Sequence, residues 1–331
     1  MGINRIAILG DGGWGTTLSI LLSKKGLGVS LWSVCREYAD FLDKKRLNVK
    51  FLPGIPIPKN INISSDLYRV LSGAEVVVLA IPSPYLRSVL KKLEPQSLDA
   101  KVIVSAIKGI ENNSLMRMSE VIRDVLGNLR VSVLSGPTIA REVALGIPST
   151  AVIASSEPKT SRLLQAVFMT NRFRIYTNDD VIGVELGGSI KNIIAIACGI
   201  CDGLKFGANT KAALLTRGLA EMNRLGAAMG AKAHTFYGLS GLGDLVTTCS
   251  SVYSRNRSLG EKIGAGKRIK EIIAKMEMVA EGVPTTKSVY ELSKKYKVDM
   301  PITKEVYRVL YKNKSPLAAV DDLMARRRRE E

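Results

Sequence analysis

The residues Gly10-Asp11-Gly12-Gly13-Trp14-Gly15 form a G-x-G-x-x-G pattern between two apolar segments. The segment before it, Arg5–Leu9, is typical of a buried strand, and the segment after it has helical periodicity and leads to a second strand ending near Trp32. This strand–turn–helix–strand order is the βαβ context that the pattern requires. The first glycine permits the tight turn, the second lets a pyrophosphate approach the backbone, and the third packs helix against strand. The helix N-terminus adds free N–H groups for phosphates. The stretch therefore predicts a dinucleotide-binding turn.

Short β-branched runs alternate with helical patterns through the first half of the chain. The predicted strands are Arg5–Leu9, Val29–Trp32, Glu75–Ile81, Lys101–Ile107, Val131–Leu134 and Thr150–Ala154. Alternation of this kind indicates a parallel sheet covered by helices on both faces. The proline-rich stretch Leu52–Pro58 interrupts it and is predicted to be a loop, because proline does not fit a helix interior or a central strand.

Strand signals become rare after residue 180, and apolar positions then repeat with helical spacing. The predicted helices of this half are Glu185–Gly199, Lys211–Met229, Arg268–Met276, Thr285–Lys294 and Thr303–Leu310. We therefore predict an α/β chain, with a Rossmann-like, doubly wound and mainly parallel sheet followed by an all-α domain. The expected boundaries are 1–180 for the dinucleotide-binding domain and 181–331 for a helical substrate-binding domain.

Composition narrows the classes of protein. The chain has 331 residues with 46% hydrophobic residues, which excludes a disordered or fibrous protein. Its 48 basic and 30 acidic residues give a net charge of +18 and favour an anionic partner. Four cysteines are too few for a disulfide framework, and the N-terminus lacks the features of a signal peptide, so we expect a cytoplasmic protein. The apolar run Ile193–Cys201 is too short to cross a bilayer, so no membrane span is expected.

The end of the second strand bears on the choice of cofactor. NAD-specific sites usually place an acid there to bind the ribose hydroxyls. Here the strand ends at Trp32 without an acid, and Arg36 follows closely. An arginine at this place can pair with a 2′-phosphate, which favours NADP, although Glu37 weakens that argument and NAD remains an option. A solvated residue at the start of a helix is the alternative interpretation of Arg36.

Lysine is the leading candidate for the acid–base group. A reductase that uses a dinucleotide needs a proton donor beside the hydride, and the chain has one histidine, His234. Lys191 lies in a mostly apolar helical segment, where burial would lower its pKa and suit it to proton exchange near neutral pH. The pattern is equally compatible with a surface lysine. Lys108 follows a strand at the carboxyl edge of the sheet, where such folds bind ligands, but an ordinary loop lysine fits as well.

Further segments suit a phosphorylated ligand or invite comparison with a metal site. Gly136-Pro137-Thr138 follows a strand, and Gly241-Leu242-Gly243-Asp244 is predicted to be a glycine-rich turn. Ser254-Arg255-Asn256-Arg257 offers guanidinium, hydroxyl and amide groups that match phosphate oxygens, although an exposed polar turn is an equal alternative. Cys198-Gly199-Ile200-Cys201 lies in an apolar run without a second ligand pair, so we interpret it as core packing and predict no metal site.

Together these segments resemble the bacterial-type NAD(P)-dependent sn-glycerol-3-phosphate dehydrogenase family along almost the whole chain. The motifs that carry the resemblance are the glycine turn with Trp14, Leu52-Pro53-Gly54-Ile55, Ala106-Ile107-Lys108-Gly109, Ser135-Gly136-Pro137-Thr138, Glu185-Leu186-Gly187 leading to Lys191-Asn192, Gly241-Leu242-Gly243-Asp244, Ser254-Arg255-Asn256 and Glu281-Gly282.

The resemblance implies that Lys191 is the catalytic lysine, exchanging a proton with the C2 oxygen of the substrate, and that Lys108 contacts both substrate and cofactor. The implied substrate positions are Lys108, Gly136, Thr138, Lys191, Asp244, Ser254, Arg255 and Asn256. The implied cofactor positions are Trp14, Lys108, Ala140, Arg255, Val279 and Glu281, to which the turn and the second strand add Gly10, Gly12, Gly13, Gly15 and Arg36.

Two positions depart from the family pattern. Gly13 stands where members often have serine, and Val34 and Cys35 stand where many have histidine or arginine, so Arg36 is the residue that could replace them. The implied activity is reversible hydride transfer between NADP, or NAD, and C2 of dihydroxyacetone phosphate or sn-glycerol 3-phosphate. It would supply glycerol 3-phosphate for phospholipid synthesis.

Two competing functions stay open at this point. A reductase of a β-hydroxy acid or ketopantoate has a similar plan, but it usually places asparagine four residues after the lysine, where this chain has Ala195. A nucleic-acid or lipid-surface protein would cluster its basic residues on one face with aromatic residues, whereas lysine and arginine are spread widely here. We expect a phosphorylated small-molecule partner and no nucleic acid. A homodimer is one assembly that the sequence allows.

Overall fold

The computed structural model describes residues 2–98, 101–276 and 279–327, and the chain forms two compact units. Unit 1 comprises Met1–Lys108 and Met116–Glu185, and unit 2 comprises Gly109–Leu115 and Leu186–Glu331. Arg328 and Arg329, the end of a basic run at the C-terminus, lie outside the described residues.

Unit 1 is built on a sheet that has eight strands in the described part of the chain. The strands are β1 (Arg5–Leu9), β2 (Gly28–Trp32), β3 (Ile61–Ser64), β4 (Val76–Leu79), β5 (Val102–Ser105), β6 (Val131–Ser135), β7 (Ser149–Ala154) and β8 (Phe173–Asn178). Their spatial order is β3-β2-β1-β4-β5-β6-β7-β8, and every neighbouring pair is parallel except β6 with β7. The first six follow the 3-2-1-4-5-6 order of doubly wound dinucleotide-binding sheets. The predicted fold class is confirmed.

The helices of unit 1 cover both faces of the sheet. They are α1 (Gly13–Lys24), α2 (Arg36–Lys45), α3 (Leu67–Leu71), α4 (Leu86–Leu90), α5 (Met118–Leu126), α6 (Ala140–Ala144) and α7 (Pro158–Phe168). Successive residues of β1 show the two faces: Ile6 and Ile8 pack into one hydrophobic cluster, while Ala7 and Leu9 pack into the other. Burial on both sides explains why the central strands read as unbroken apolar runs.

Two strands were not predicted, β3 and β8, and both lie at the edges of the sheet. Strand β3 has four residues, too few for a clear pattern. Strand β8 alternates buried Phe173 and Ile175 with exposed neighbours. This period of two is typical of a strand with one solvent-exposed face. The stretch Leu52–Pro58 is a loop, as predicted, although Leu52, Ile55 and Ile57 are buried in the core.

Unit 2 is helical. Helix α8 (Val181–Gly203) begins in unit 1 and continues as the first helix of unit 2, followed by α9 (Ala208–Ala228), α10 (Asp244–Ser250), α11 (Arg255–Gly264), α12 (Ile269–Ala274), α13 (Gly282–Lys295), α14 (Pro301–Lys312) and α15 (Pro316–Met324). Helix α8 is long and apolar enough to cross a membrane by length and composition, but 89% of its most apolar window is buried. Such burial is typical of a core helix. Cys198 and Cys201 are buried free thiols within it.

One predicted turn is wrong, and one alternative interpretation is excluded. Gly241–Asp244 is not a simple turn, because the π-helical segment Leu239–Gly243 runs directly into α10 at Asp244. Ser254–Arg257 is not an exposed turn either: Ser254 is the N-cap of α11, and its Oγ accepts a hydrogen bond from the Arg257 N–H at 3.2 Å. Glycine and short polar residues concealed both helices, since these residues favour turns as well as helix ends.

A buried acid ties α9 to α14. Glu221 accepts hydrogen bonds from the N–H groups of Ile302 (2.6 Å) and Thr303 (3.1 Å), so it caps the N-terminus of α14. Burial nevertheless raises the pKa of Glu221 from 4.5 to about 7. The folded state therefore binds a proton that the unfolded chain has lost between these two pH values. The stabilisation is complete below pH 4.5 and is lost as the pH rises to about 7.

We expect Glu221→Gln to flatten the dependence of stability on pH between pH 5 and pH 7. The pKa shift corresponds to about 3 kcal/mol across that window. The measurement is the free energy of unfolding by urea at both pH values, and the control is Glu291→Gln, which removes a partly exposed acid of α13 that pairs with Lys294. An unchanged slope in the Glu221 variant would contradict the assignment.

Candidate active site

The glycine turn follows β1 and opens α1. Gly10 has a φ of +118°, and its N–H donates to the Trp32 carbonyl at 3.1 Å, so the turn is bonded to the end of β2. Trp14 packs edge-to-face against Phe173, with ring centroids 6.4 Å apart. Ala140, at the start of α6, accepts a hydrogen bond from Thr17 Oγ1 at 3.0 Å. The predicted cofactor position Ala140 thus lies beside the start of α1, which carries the glycine turn and Trp14.

The residues present fit a dinucleotide pyrophosphate. A Cβ added at Gly12 would meet no described atom within 4 Å, so packing within the chain does not require glycine there. Open space beside the backbone is what a pyrophosphate needs in order to approach. Helix α1 has no side chain capping its N-terminus and no acid in its first turn. Its first N–H groups therefore suit an anion.

Position 13 is a glycine where the family pattern often has serine, and the cause in this chain is steric. A Cβ at Gly13 would lie 2.6 Å from the carbonyl oxygen of Phe51, closer than real contacts allow. The loop that contains Phe51 therefore passes too near α1 for a serine side chain at position 13. Gly13 still presents its backbone N–H in the first turn of α1.

The end of β2 carries both acidic and basic groups. Arg36 is exposed as the first residue of α2, beside the exposed Glu37. The Cys35 thiol donates to Glu37 Oε2 at 3.0 Å and lowers the pKa of that carboxyl group. Sequence reasoning missed a second acid here: Asp11 Oδ2 accepts a hydrogen bond from Ser33 Oγ at 2.7 Å.

The carboxyl edge of the sheet brings together three of the predicted substrate positions. Lys108, after β5, donates from Nζ to the Gly136 carbonyl at 2.9 Å, and Thr138 Oγ1 donates to the same oxygen at 3.2 Å. Gly136 follows β6 and has a φ of +128°. An ammonium group and a hydroxyl group thus converge on one backbone position at the edge where open α/β sheets bind ligands.

Lys191 is buried in unit 2, with 5% of its surface exposed, which excludes the surface alternative. Its Nζ donates to Asp244 Oδ1 and to Thr248 Oγ1, both at 2.5 Å. Asp244 is 1% exposed. A buried ammonium group needs such a partner, because an unpaired buried charge is strongly destabilising. The arrangement holds the lysine nitrogen at a fixed point.

Close packing makes this pair possible. A Cβ at Gly187 on α8 would lie 2.5 Å from the Ser240 carbonyl, so glycine lets the π-helical segment approach the helix that carries Lys191. Sequence reasoning missed Thr248. It lies one helical turn after Asp244, and this i, i+4 spacing would have indicated a shared face had α10 been predicted.

Asn256, one of the predicted phosphate positions, contacts the start of α13. Asn256 is 7% exposed, and its Oδ1 accepts a hydrogen bond from the Gly282 N–H at 2.9 Å. This bond uses the amide oxygen, so the NH₂ group is the part that can donate to a ligand. A Cβ at Gly282 would lie 2.8 Å from both Asn256 Oδ1 and the Asn192 carbonyl. Asn256 therefore lies next to the segment of α8 that contains Lys191.

Arg255 adjoins two of the predicted cofactor positions. Its Nη1 donates to the Val279 carbonyl at 3.1 Å. Although the residue as a whole is exposed, desolvation of the guanidinium group lowers the pKa of Arg255, and the nearby Glu281 carboxylate opposes that shift. Arg257, the other guanidinium of this segment, is directed elsewhere: its Nε donates to Asp202 Oδ2 at 2.7 Å.

Comparisons with known proteins show which family the chain is similar to. The family profile described as NAD-dependent glycerol-3-phosphate dehydrogenase N-terminus matches residues 5–161, and the corresponding C-terminus profile matches residues 180–321. A glycerol-3-phosphate dehydrogenase [NAD(P)+] of Chlorobium phaeobacteroides (strain BS1) is 49% identical over 330 residues, covering 99% of both chains.

Solved structures extend the comparison. A crystal structure of a glycerol-3-phosphate dehydrogenase from Coxiella burnetii has a TM-score of 0.94 and 40% identity, covering 98% of this chain and 99% of the other. A ketopantoate reductase from Ralstonia eutropha has a TM-score of 0.62 with 15% identity, covering 97% and 99% of the two chains. This second likeness extends to the fold alone.

Proposed function

The chain belongs to the NAD-dependent glycerol-3-phosphate dehydrogenase family, and we propose that it transfers a hydride reversibly between a nicotinamide cofactor and C2 of dihydroxyacetone phosphate or sn-glycerol 3-phosphate. The observation that carries this proposal is the buried Lys191, held by Asp244 and Thr248. Reduction of a ketone to an alcohol requires a proton on the carbonyl oxygen, and Lys191 Nζ is a positioned donor.

Each residue of this cluster has a separate task in the proposal. When bound, the reduced nicotinamide supplies the hydride. Lys191 Nζ donates a proton to the C2 oxygen as negative charge develops there, and it accepts that proton in the reverse direction. Asp244 and Thr248 fix the direction of the Nζ–H bonds, which keeps the donor oriented without reorganisation. Because the group is buried, water competes little for that proton.

The cofactor would be held by both backbone and side-chain groups. The open side of Gly12 and the N–H groups at the start of α1 suit the pyrophosphate. This supports residues 1–180 as the dinucleotide-binding domain and 181–331 as the substrate-binding domain. The remaining cofactor positions we propose are Gly10, Gly13, Trp14, Gly15, Arg36, Lys108, Ala140, Arg255, Val279 and Glu281.

The substrate phosphate would be held by Arg255 and by the NH₂ group of Asn256, with Ser254 in the same segment. Arginine suits this role because its N–H groups match the spacing of phosphate oxygens. Lys108, Gly136 and Thr138 would contact the substrate at the sheet edge. A non-phosphorylated keto acid would leave Arg255 without this partner, which favours a phosphorylated substrate.

A direct assay tests the activity. Purified protein is mixed with NADPH or NADH, and the loss of reduced-nicotinamide absorbance is followed on addition of dihydroxyacetone phosphate. We expect turnover with this substrate and none with ketopantoate or a β-keto acid. Turnover with ketopantoate alone would contradict the proposal and favour the related reductase class.

We propose that the reaction takes place in the cytoplasm. Free cysteines and the implied metabolic substrate favour the cytoplasm, and the product would serve phospholipid synthesis. A homodimer stays a prediction that sedimentation velocity can test.

Arg36 is predicted to favour NADPH over NADH, because its guanidinium can pair with the 2′-phosphate. An exposed ion pair contributes about 1 kcal/mol or less, so we expect Arg36→Ala to raise KM for NADPH by about threefold to fivefold. NADH kinetics should stay unchanged. The check is a steady-state comparison of both cofactors at saturating dihydroxyacetone phosphate. Equal effects on the two cofactors would mean that Arg36 has only a structural role.

A further inference from the structure

An acid reaches the end of β2 from the glycine turn. Asp11 lies between Gly10 and Gly12, and its Oδ2 accepts a hydrogen bond from Ser33 Oγ at 2.7 Å. Ser33 follows β2 directly, is fully buried, and donates from its backbone N–H to the Ser64 carbonyl at 3.1 Å. The carboxylate is therefore hydrogen-bonded to the residue at the strand end, where dinucleotide-binding sheets usually carry the acid that recognises ribose.

The backbone of Asp11 is fixed as well. Its carbonyl accepts hydrogen bonds from Asn48 Nδ2 at 2.7 Å and from Thr16 Oγ1 at 3.1 Å. Asn48 is fully buried and also donates to Thr16 Oγ1 at 2.7 Å. A side chain held from both ends keeps one orientation, which is a requirement for reading a single ligand substituent.

We infer that Asp11 determines cofactor specificity: its carboxylate accepts a hydrogen bond from the adenosine 2′-hydroxyl of NAD(H) and opposes the 2′-phosphate of NADP(H). This inference rests on the proposed function, since it needs a dinucleotide at the glycine turn. It assigns to Asp11 the role that the absent strand-end acid would have. Ser33 orients the carboxylate and occupies the strand end itself.

Groups with opposite electrostatic effects surround the Asp11 carboxyl group at the end of β2. Desolvation raises the pKa of Asp11, while the Ser33 hydrogen bond, the backbone of Asp11 and the charge of Lys50 lower it. On α2, Arg36 and Glu37 are exposed beside the same strand end. A half-buried carboxylate is screened less than a surface one, so a phosphate dianion beside it would be repelled. Asp11 favouring NAD(H) and Arg36 favouring NADP(H) would let one site accept both cofactors.

Binding of two cofactor fragments tests this inference separately from catalysis. ADP-ribose and 2′-phospho-ADP-ribose differ only at the 2′ position, and neither carries nicotinamide. Their dissociation constants are measured by calorimetry for the unmodified protein, Asp11→Asn and Asp11→Ala. Asn keeps the shape and an acceptor for Ser33, while Ala removes the whole group. Asp40→Asn is the matched control, because it removes an exposed acid from α2.

We expect both Asp11 variants to shift the ratio of the two dissociation constants toward the phosphorylated fragment by about tenfold or more. Asp40→Asn should leave the ratio unchanged. Thermal unfolding reports whether each variant is folded, and Asn serves as the test if Ala is not. An unchanged ratio in a folded Asp11 variant that binds both fragments would overturn the inference alone. If the unmodified protein binds neither fragment, the proposed dinucleotide site is itself contradicted.

Discussion

Replacing Lys191 by alanine should lower kcat for reduction of dihydroxyacetone phosphate by about 10² to 10⁴, the usual contribution of a positioned acid–base group. The Nζ that would protonate the C2 oxygen is buried and bonded to Asp244 and Thr248, so no other group of this cluster can replace it as a cation. Affinity for NADPH should change little, because the cofactor positions lie elsewhere. The measurements are steady-state kinetics and NADPH binding by fluorescence.

The variant leaves the Asp244 carboxylate buried without its lysine. Breaking a buried ion pair in this way destabilises a fold by about 3–5 kcal/mol. Lys191→Met combined with Asp244→Asn removes both charges and separates folding from catalysis. Lys211→Ala is the matched control, since Lys211 pairs with Asp202 at 2.6 Å in the same unit. Small primary amines added to Lys191→Ala should restore part of the rate. Near-normal turnover in a folded Lys191 variant would exclude it as the proton donor.

The sheet and the glycine turn could be predicted because their residues have one dominant physical reason to be where they are. The runs that became β1, β4 and β5 are apolar on both faces, and Gly10 needs a φ that other residues rarely adopt. The resemblance to the glycerol-3-phosphate dehydrogenase family is confirmed by the family profiles and by a relative that is 49% identical. Local pattern and global fold agree at these places.

Other parts of the candidate site depend on contacts that local pattern does not contain. Thr248 was missed because α10 begins within a glycine-rich stretch, so its helical spacing from Asp244 was hidden. Asp11 was missed because its partner Ser33 lies beyond the end of β2, 22 residues further along the chain, and their contact follows from the β1–β2 pairing rather than from sequence spacing. Such contacts become visible only when the chain is folded.

Replacing Arg255 should have the second large effect on activity, because Arg255 would hold the substrate phosphate. Removing the charged partner of a phosphate costs about 2–5 kcal/mol, and the exposure of Arg255 places the expected loss at the lower end of that range. We therefore expect Arg255→Ala to reduce kcat/KM for dihydroxyacetone phosphate by about 30-fold. Because Arg255 also contacts Val279 near proposed cofactor positions, NADPH binding is measured in parallel.

Dihydroxyacetone, which lacks the phosphate, decides what the Arg255 effect means. If Arg255 holds the phosphate, the variant should lose little of its already low activity on dihydroxyacetone, and the preference for the phosphorylated substrate should fall by the same factor as kcat/KM. Arg257→Ala is the matched control: it removes the same charge from the same helix, but its Nε is bonded to Asp202. That control should keep the preference for phosphate even if the fold is less stable. An Arg255 variant that loses activity on both substrates equally would instead point to a role in holding the cofactor, because only a contact with the phosphate can distinguish the two ketones.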